Sequence, residues 1–375
     1  MRSKVLVLGA GFGGLELSWM LSQEFGDDAG VTLIDAGDGF TFGFAKLDVM
    51  FGAKTAEQVL LPYDEIKLPG VSFRQERITR IDPEAKRVTT DAGVHEADTL
   101  VIALGADYDI AATPGLADAN EFYSVAGAAE LAPVIADFSR GDVLIGIADA
   151  PFKCPPAPSE CALLMHDTLT RRGVRDDCTI TLVMPFGIPI PPSPDTSAAL
   201  LSAFEERGIE FVRGLRLAEV DADRGVARFD DGSERPFDLL LGVPKHHAPQ
   251  VVLDSGLARD GYIPVRSSDL RTELDDVYAL GDCATVGVPK AGIFAEGAAR
   301  VVAKDLIARR RDADGPAPYD GRGACYIEFG AGAVARVDID FLSGPEKTGT
   351  FNAPSAELRA EKDEFGSSRA ARWFG

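Results

Sequence analysis

Short apolar runs recur along this chain, separated by stretches long enough to hold a helix. Lys4 to Leu8 and Val31 to Ile34 read as strands, joined by a glycine-rich turn at 9–14 and a helix that runs through Leu21 and ends near Gly26. Asp98 to Gly105 and Asp276 to Leu280 are two more apolar strands, each leading into a glycine. Residues 106–142 wander through Ala, Asp, Pro and Gly, and a second alternation then begins. It has a strand at Val143 to Ile145, a helix over 160–172, a strand from Thr179 to Met184 and a proline-rich loop, PFGIPIPPSP. A helix from Thr196 to Arg207 follows, then short strands over 209–241 with a turn at Asp230-Asp231-Gly232. The pattern is that of one βαβ unit inserted into another, closed by a helix from Ile293 to Ala308.

The first turn carries chemistry. Gly9-Ala10-Gly11-Phe12-Gly13-Gly14 stands between a strand and a helix. In that setting Gly9 allows the tight turn, Gly11 admits a pyrophosphate to the backbone, and Gly14 lets helix and strand pack closely. Asp35 closes the second strand about 20 residues on, where an acid can hold a ribose hydroxyl. The helix N-terminus adds its dipole toward phosphate. A lone GxGxxG says little, but this placement points to a bound dinucleotide rather than to a structural turn.

The corresponding turn of the inserted unit is different. It reads IGIADAPFKCPPAPSE from Ile145 to Glu160, with Gly146 as its one glycine, while Pro155, Pro156 and Pro158 remove amide donors. A nicotinamide dinucleotide needs those amides, so its usual mode of binding is disfavoured. Cys154 stands in their place, just ahead of a helix and beside Lys153, a setting that predicts a lowered thiol pKa and a nucleophile. Glu160 at the helix start is a candidate proton acceptor. The plainer alternative is a buried, inert cysteine and a solvated glutamate. Residues 1–150 contain no cysteine, which excludes a CxxxxC pair in the first unit. Cys161 reads as helix core, Cys178 precedes a strand and Cys283 packs, leaving Cys325 as the candidate partner.

Composition narrows the class. The chain has 375 residues, 46% of them hydrophobic, and a formal net charge of −21. That balance argues against nucleic acid and against docking to anionic lipid, both of which want clustered Lys and Arg. Five cysteines without CxxC spacing fit neither a disulfide scaffold nor a metal site, so no metal is expected. The N-terminal MRSKVLVLGAGFGGLELSWML has the charge pattern of a leader, but the glycine spacing explains it better and no Ala-x-Ala cleavage signal follows. No apolar run reaches the roughly 18 residues of a spanning helix. The expectation is a cytoplasmic protein, at most peripheral to the inner face of the membrane.

Gly105 after its strand and Gly281-Asp282 after theirs resemble the later signatures of flavoprotein reductases with two dinucleotide domains, in which the aspartate at Asp282 holds the ribityl chain of FAD. Lys290-Ala291-Gly292 then leads a helix whose dipole would face the flavin pyrimidine. CPPAPSE, GDCAT followed by PKAGIFAE, and ACYIEFG together are similar to the sulfide:quinone oxidoreductase and flavocytochrome c sulfide dehydrogenase family, over essentially the whole chain.

The resemblance implies an α/β fold of two Rossmann-like dinucleotide-binding domains, a FAD domain with an inserted NAD-like domain, plus a small C-terminal segment. The expected boundaries are 1–107 and 246–322 for the FAD domain, 108–245 for the insert with Cys154, and 323–375 for the segment with Cys325. It implies a Cys154/Cys325 disulfide or polysulfide beside the flavin, attacked by sulfide or a related small thiol or persulfide. A thiolate–flavin adduct would then carry two electrons into FAD, with Glu160 matching the family glutamate. FAD should be non-covalent, because no cysteine lies near Thr41 to Phe44.

Two departures bear on the acceptor, expected to be a quinone or another carrier. Quinone-reducing members commonly carry a third cysteine where this chain has Phe122-Tyr123-Ser124, and they end in amphipathic helices. This chain ends in a short charged segment and Arg372-Trp373-Phe374-Gly375. Phe365, Trp373 and Phe374 suit membrane touch, a quinone path, core packing or a homodimer contact. His246-His247 read as exposed loop histidines. Two other functions stay open: an NADH:quinone or ferredoxin-type reductase that uses no cysteine, and a non-catalytic FAD-binding redox partner.

Overall fold

The computed structural model of the protein describes residues 4–375; residues 1–3, and with them Arg2 of the leader-like start, lie outside the described residues. Strands Val5–Leu8, Val31–Asp35, Val71–Gln75, Thr99–Ile102 and Val277–Ala279 form one parallel sheet. Val5–Leu8 lies at its centre, paired in register with Val31–Ile34 on one side and Thr99–Ile102 on the other. These central strands are buried at nearly every position, as a sheet covered on both faces requires. The helices Phe12–Phe25 and Gly292–Arg311 pack against each other on one face.

The insert has its own parallel sheet, in the order Ile209–Arg213, Cys178–Met184, Gly141–Ile147, Leu239–Val243. The chain enters and leaves it through two short antiparallel strands, Asp107–Asp109 and Lys245–His247. His246 is therefore buried and His247 half-buried, where the sequence suggested an exposed loop. Helix Ala157–Arg171 leaves the end of the Gly141–Ile147 strand and packs across the sheet.

The C-terminal part is an antiparallel sheet of Arg322–Glu328, Val334–Asp340 and Thr348–Ser355, followed by a 19-residue helix, Ala356–Phe374. That helix was not legible as one in a segment read as short and charged. Leu358, Lys362, Phe365, Arg369 and Trp373 fall on one stripe at helical spacing and face the body of the protein. Among the described residues no helix is long and apolar enough to cross a membrane.

Trp373 is fully buried against the edges of Phe12 and Phe40, with ring centroids 5.7 and 5.5 Å away. Its indole N–H donates to Glu16 Oε2 at 2.9 Å. Glu16 and Glu296 are both wholly buried, which charges tolerate only when paired. Arg300 and Arg372 reach Glu16 at 2.9 Å, and Arg369 reaches Glu296 at 2.6 Å. These contacts bolt the C-terminal helix to the glycine-motif helix and to Gly292–Arg311. Of the readings open for Trp373 and Phe374, core packing is the one realised. Trp373→Ala is expected to remove about 3–5 kcal/mol of stability, seen as a lower urea midpoint. A midpoint unchanged within error would mean that the helix is held without it.

Candidate functional site

The glycine turn is built as its spacing implies. Gly9 has φ of +98°, and a Cβ there would lie 2.4 Å from the carbonyl oxygen of Ala103. A Cβ on Gly14 would fall 1.9 Å from the carbonyl oxygen of Gly9, so helix and strand meet at a distance that only glycine permits. At Gly11 a Cβ would meet nothing within 4 Å, and this residue opens onto a cavity of about 300 Å³. Gly13, Gly105, Gly281, Asp282 and Gly292 line the same cavity. An open backbone approach, a helix N-terminus and a carboxylate on one cavity wall fit the FAD expected from the sequence.

Two expected cofactor contacts sit elsewhere. The Asp35 carboxylate accepts from the amides of Ala10 (2.7 Å) and Gly37 (2.8 Å) at the end of its strand, outside the cavity lining. Lys290 is buried and donates to the backbone oxygen of Asp282 at 2.7 Å, with its ammonium 3.4 Å from the centre of the Tyr262 ring. It braces the Asp282 turn rather than facing the cavity.

Cys154 comes from the insert and Cys325 from strand Arg322–Glu328, and both line this cavity as free thiols. The Cys154 N–H donates to the carbonyl of Lys290 at 2.8 Å, docking the insert's loop onto the loop after Asp282. Cys154 has φ of +48°, a left-handed conformation costly for a residue with a Cβ and held only when its surroundings enforce it. Glu160, one turn into the following helix, points to the same place. Its Oε1 accepts from the Glu328 N–H at 3.0 Å, three residues beyond Cys325.

The electrostatics reverse one expectation. Lys153 does not serve Cys154: its ammonium donates to the Ala106 carbonyl at 2.7 Å and sits 4.2 Å from the centre of the Tyr108 ring. What surface Cys154 has faces the cavity, and burial, with Glu160 and Cys325 adding to it, pushes its thiol well above the ordinary range. Burial and then Glu160 push Cys325 up to about 12. Glu160 is itself raised by burial, against the pull of Lys362, to about 7. The pair therefore rests as protonated thiols beside a carboxyl that exchanges its proton near neutrality.

Lys362 and Glu328 are the residues that sequence reasoning missed. Glu328 is clamped by Arg359, at 2.9 Å to Oε1 and 2.5 Å to Oε2, and by the Lys362 ammonium. The one signal in the sequence was the spacing of Lys362 from Leu358, Phe365 and Arg369, which is that of a helix face. A second missed group lies across the cavity. Lys46 donates to the Tyr123 carbonyl at 2.6 Å and to the Tyr108 hydroxyl at 3.3 Å, and burial lowers its pKa to about 8.

The turn of the insert packs aromatic side chains where the first unit has glycines. Phe152 is buried and stacks on Phe186 of the proline-rich loop, with centroids 5.8 Å apart. Asp149 follows the first strand of that sheet, with Arg216 and Lys245 beside it at 3.5 and 3.8 Å.

The sequence profile of the pyridine nucleotide-disulphide oxidoreductases matches residues 3–300. The mitochondrial sulfide:quinone oxidoreductase of Mus musculus is 23% identical over 368 residues, covering 93% of this chain and 80% of that protein. A type II NADH:quinone oxidoreductase of Staphylococcus saprophyticus is 27% identical over 301 residues, covering 75% and 74%. Among solved structures, the sulfide:quinone oxidoreductase of Aquifex aeolicus superposes with a TM-score of 0.86 at 22% identity, over 98% of this chain and 90% of that one.

The raised Glu160 pKa has a stability consequence of definite sign. A carboxyl whose folded pKa lies above its unfolded value of 4.5 stabilises fully below that value, and the contribution fades as pH rises through about 7. Wild type should therefore lose on the order of 3 kcal/mol relative to Glu160→Gln between pH 4.5 and pH 8. Urea unfolding of both proteins at the two pH values checks this. Parallel behaviour would mean that Glu160 is already ionised in the fold.

Proposed function

The chain belongs to the pyridine nucleotide-disulphide oxidoreductase family and is a flavin-dependent oxidoreductase with FAD as its cofactor, and we propose that it oxidises sulfide, or a small thiol or persulfide, through Cys154 and Cys325. The observation that carries this reading is that both cysteines and Glu160 line the same cavity as the glycine turn and Asp282. FAD, when bound, would supply a two-electron acceptor, to be reoxidised by a quinone or another carrier. The chain's own residues do the sulfur chemistry. Sulfide gives up two electrons and is retained on a cysteine as zero-valent sulfur in a persulfide. Glu160, near its own pKa, takes a proton from hydrogen sulfide so that its sulfur can attack the Cys154–Cys325 disulfide and release Cys154. Lys362 and the Ala157 N–H, which donates into the Cys154 turn, favour the resulting thiolate. The low-polarity surroundings keep bulk water from competing for it.

The similarity to a type II NADH:quinone oxidoreductase gives weight to a second reading, reduction by NADH without cysteine. The glycine-poor turn with Pro155, Pro156 and Pro158, and the Phe152–Phe186 stack beside it, speak against it. A non-catalytic flavoprotein would have no use for two thiols and a carboxyl titrating near 7 in one cavity.

Anaerobic stopped-flow absorbance of the flavin, after mixing with sulfide and separately with NADH, tests the proposal. Sulfide should bleach wild type quickly, and Cys154→Ala should abolish the fast phase. Glu160→Gln should slow that phase about 100-fold and remove a pKa near 7 from its pH profile. Bleaching by NADH alone, unaffected by Cys154→Ala, would refute the thiol mechanism.

A further inference from the structure

Tyr123 is held more tightly than any role as filler requires. Its N–H donates to Glu121 Oε2 at 2.7 Å. Its carbonyl accepts from both the Lys46 ammonium at 2.6 Å and the Tyr108 hydroxyl at 2.7 Å. Its ring is wedged edge-on between Phe122 (5.0 Å), His246 (5.3 Å) and Phe152 (6.4 Å), and the residue is only 5% exposed. Every polar atom of the residue is satisfied except the phenolic oxygen, which is buried without a hydrogen-bond partner. That hydroxyl belongs to a residue lining the cavity that holds Cys154.

A buried hydroxyl left unpaired is unfavourable, and phenylalanine would fill the same space without it. Retention of the hydroxyl points to a partner that forms during turnover. Of the ionisable groups around it, Cys154 acts on it most strongly, ahead of Tyr108, Cys161 and Glu160. Burial meanwhile disfavours a thiolate at Cys154, opposed by the Ala157 N–H and by the positive charge of Lys362. His246 does not compete for the role. Its Nδ1–H donates to the Pro244 carbonyl at 2.8 Å, so its Nε2 is a bare acceptor in a neutral ring.

We propose that Tyr123 is a catalytic residue whose hydroxyl donates a hydrogen bond to the Cys154 thiolate as that sulfur leaves Cys325. The inference rests on the sulfide reading above and specifies which sulfur departs. In the step, hydrosulfide attacks Sγ of Cys325 in the Cys154–Cys325 disulfide. A sulfur–sulfur bond forms between them, the disulfide bond breaks, and its electron pair goes to Cys154 Sγ. Cys325 is left as a persulfide and Cys154 as a thiolate. Tyr123 keeps its proton throughout, sharing it with the thiolate, and FAD is the oxidant that later takes the pair. The neutral phenol suits this role, because burial raises its pKa well above the ordinary tyrosine value and keeps the proton on oxygen.

The test combines a thiol titration with kinetics on the holoenzyme. The rate of iodoacetamide alkylation at Cys154, read by mass spectrometry against pH in reduced protein, reports its thiolate. Tyr123→Phe should raise the apparent pKa of Cys154 by about one unit and slow sulfide-driven flavin bleaching about tenfold. It should leave FAD content and melting temperature no lower than wild type, since only an unpaired hydroxyl is deleted. Site-specific 3-fluorotyrosine at position 123, a stronger donor, should shift the Cys154 pKa downward. An unchanged alkylation profile in both variants overturns the proposal, as does wild-type bleaching by Tyr123→Phe when Cys154→Ala abolishes it. If sulfide fails to bleach wild type, the sulfide reading falls, and the alkylation profiles still decide whether Tyr123 donates to Cys154.

Discussion

The amide and carboxylate of Glu328 tie together three parts of the chain that are far apart in sequence. Its N–H fixes Glu160, from the helix that begins beside Cys154. Its carboxylate is clamped by Arg359 and Lys362 of the last helix, and its strand carries Cys325. A buried carboxylate is tolerable only when fully paired, so this clamp fixes the last helix against the thiol strand. The Glu16 and Glu296 pairs do the same at the other end of that helix, against the helix of the glycine turn. Both cysteines are thereby held in the lining of the cavity that the glycines open.

Desolvation then sets the chemistry. At Cys154, Cys325 and Glu160 it is the dominant influence, and each charged form is disfavoured. The groups do not respond equally, because Lys362 pulls Glu160 back toward neutrality while Cys325 has only Glu160 beside it. A carboxyl near 7 next to thiols far above 7 is a division into proton acceptor and proton donors made by environment alone. The same reasoning explains why Lys46, without a carboxylate bonded to its ammonium, is lowered to about 8.

The two parallel sheets share a construction and have separate uses. In the first, glycine at the strand end leaves amides facing the cavity. In the second, proline and phenylalanine stand where the first has glycine, and the Cys154 N–H reaches across to the carbonyl of Lys290. The left-handed backbone at Cys154 is the local strain that this reach imposes. The insert thus supplies a thiol to the flavin domain's cavity.

How much of this was legible follows from the range of each constraint. The glycine turn, the runs of buried strand and the loss of glycines after Gly146 are fixed by neighbours a few residues apart, and the sequence sufficed for them. Of the five cysteines, the two expected from the sequence to act together, Cys154 and Cys325, both line the cavity. The direction of the thiol pKa was not legible, because adjacency of Lys153 in sequence says nothing about where its ammonium points. Lys290 facing its own turn, the burial of His246 and the reach of Lys362 into the cavity depend likewise on residues more distant in the chain. Sequence alone determined which backbone could turn and which side chains were reactive in kind. Tertiary structure alone decided which of them share a water-poor cavity, because the cost of a charge depends on everything packed around it and on very little that precedes or follows it.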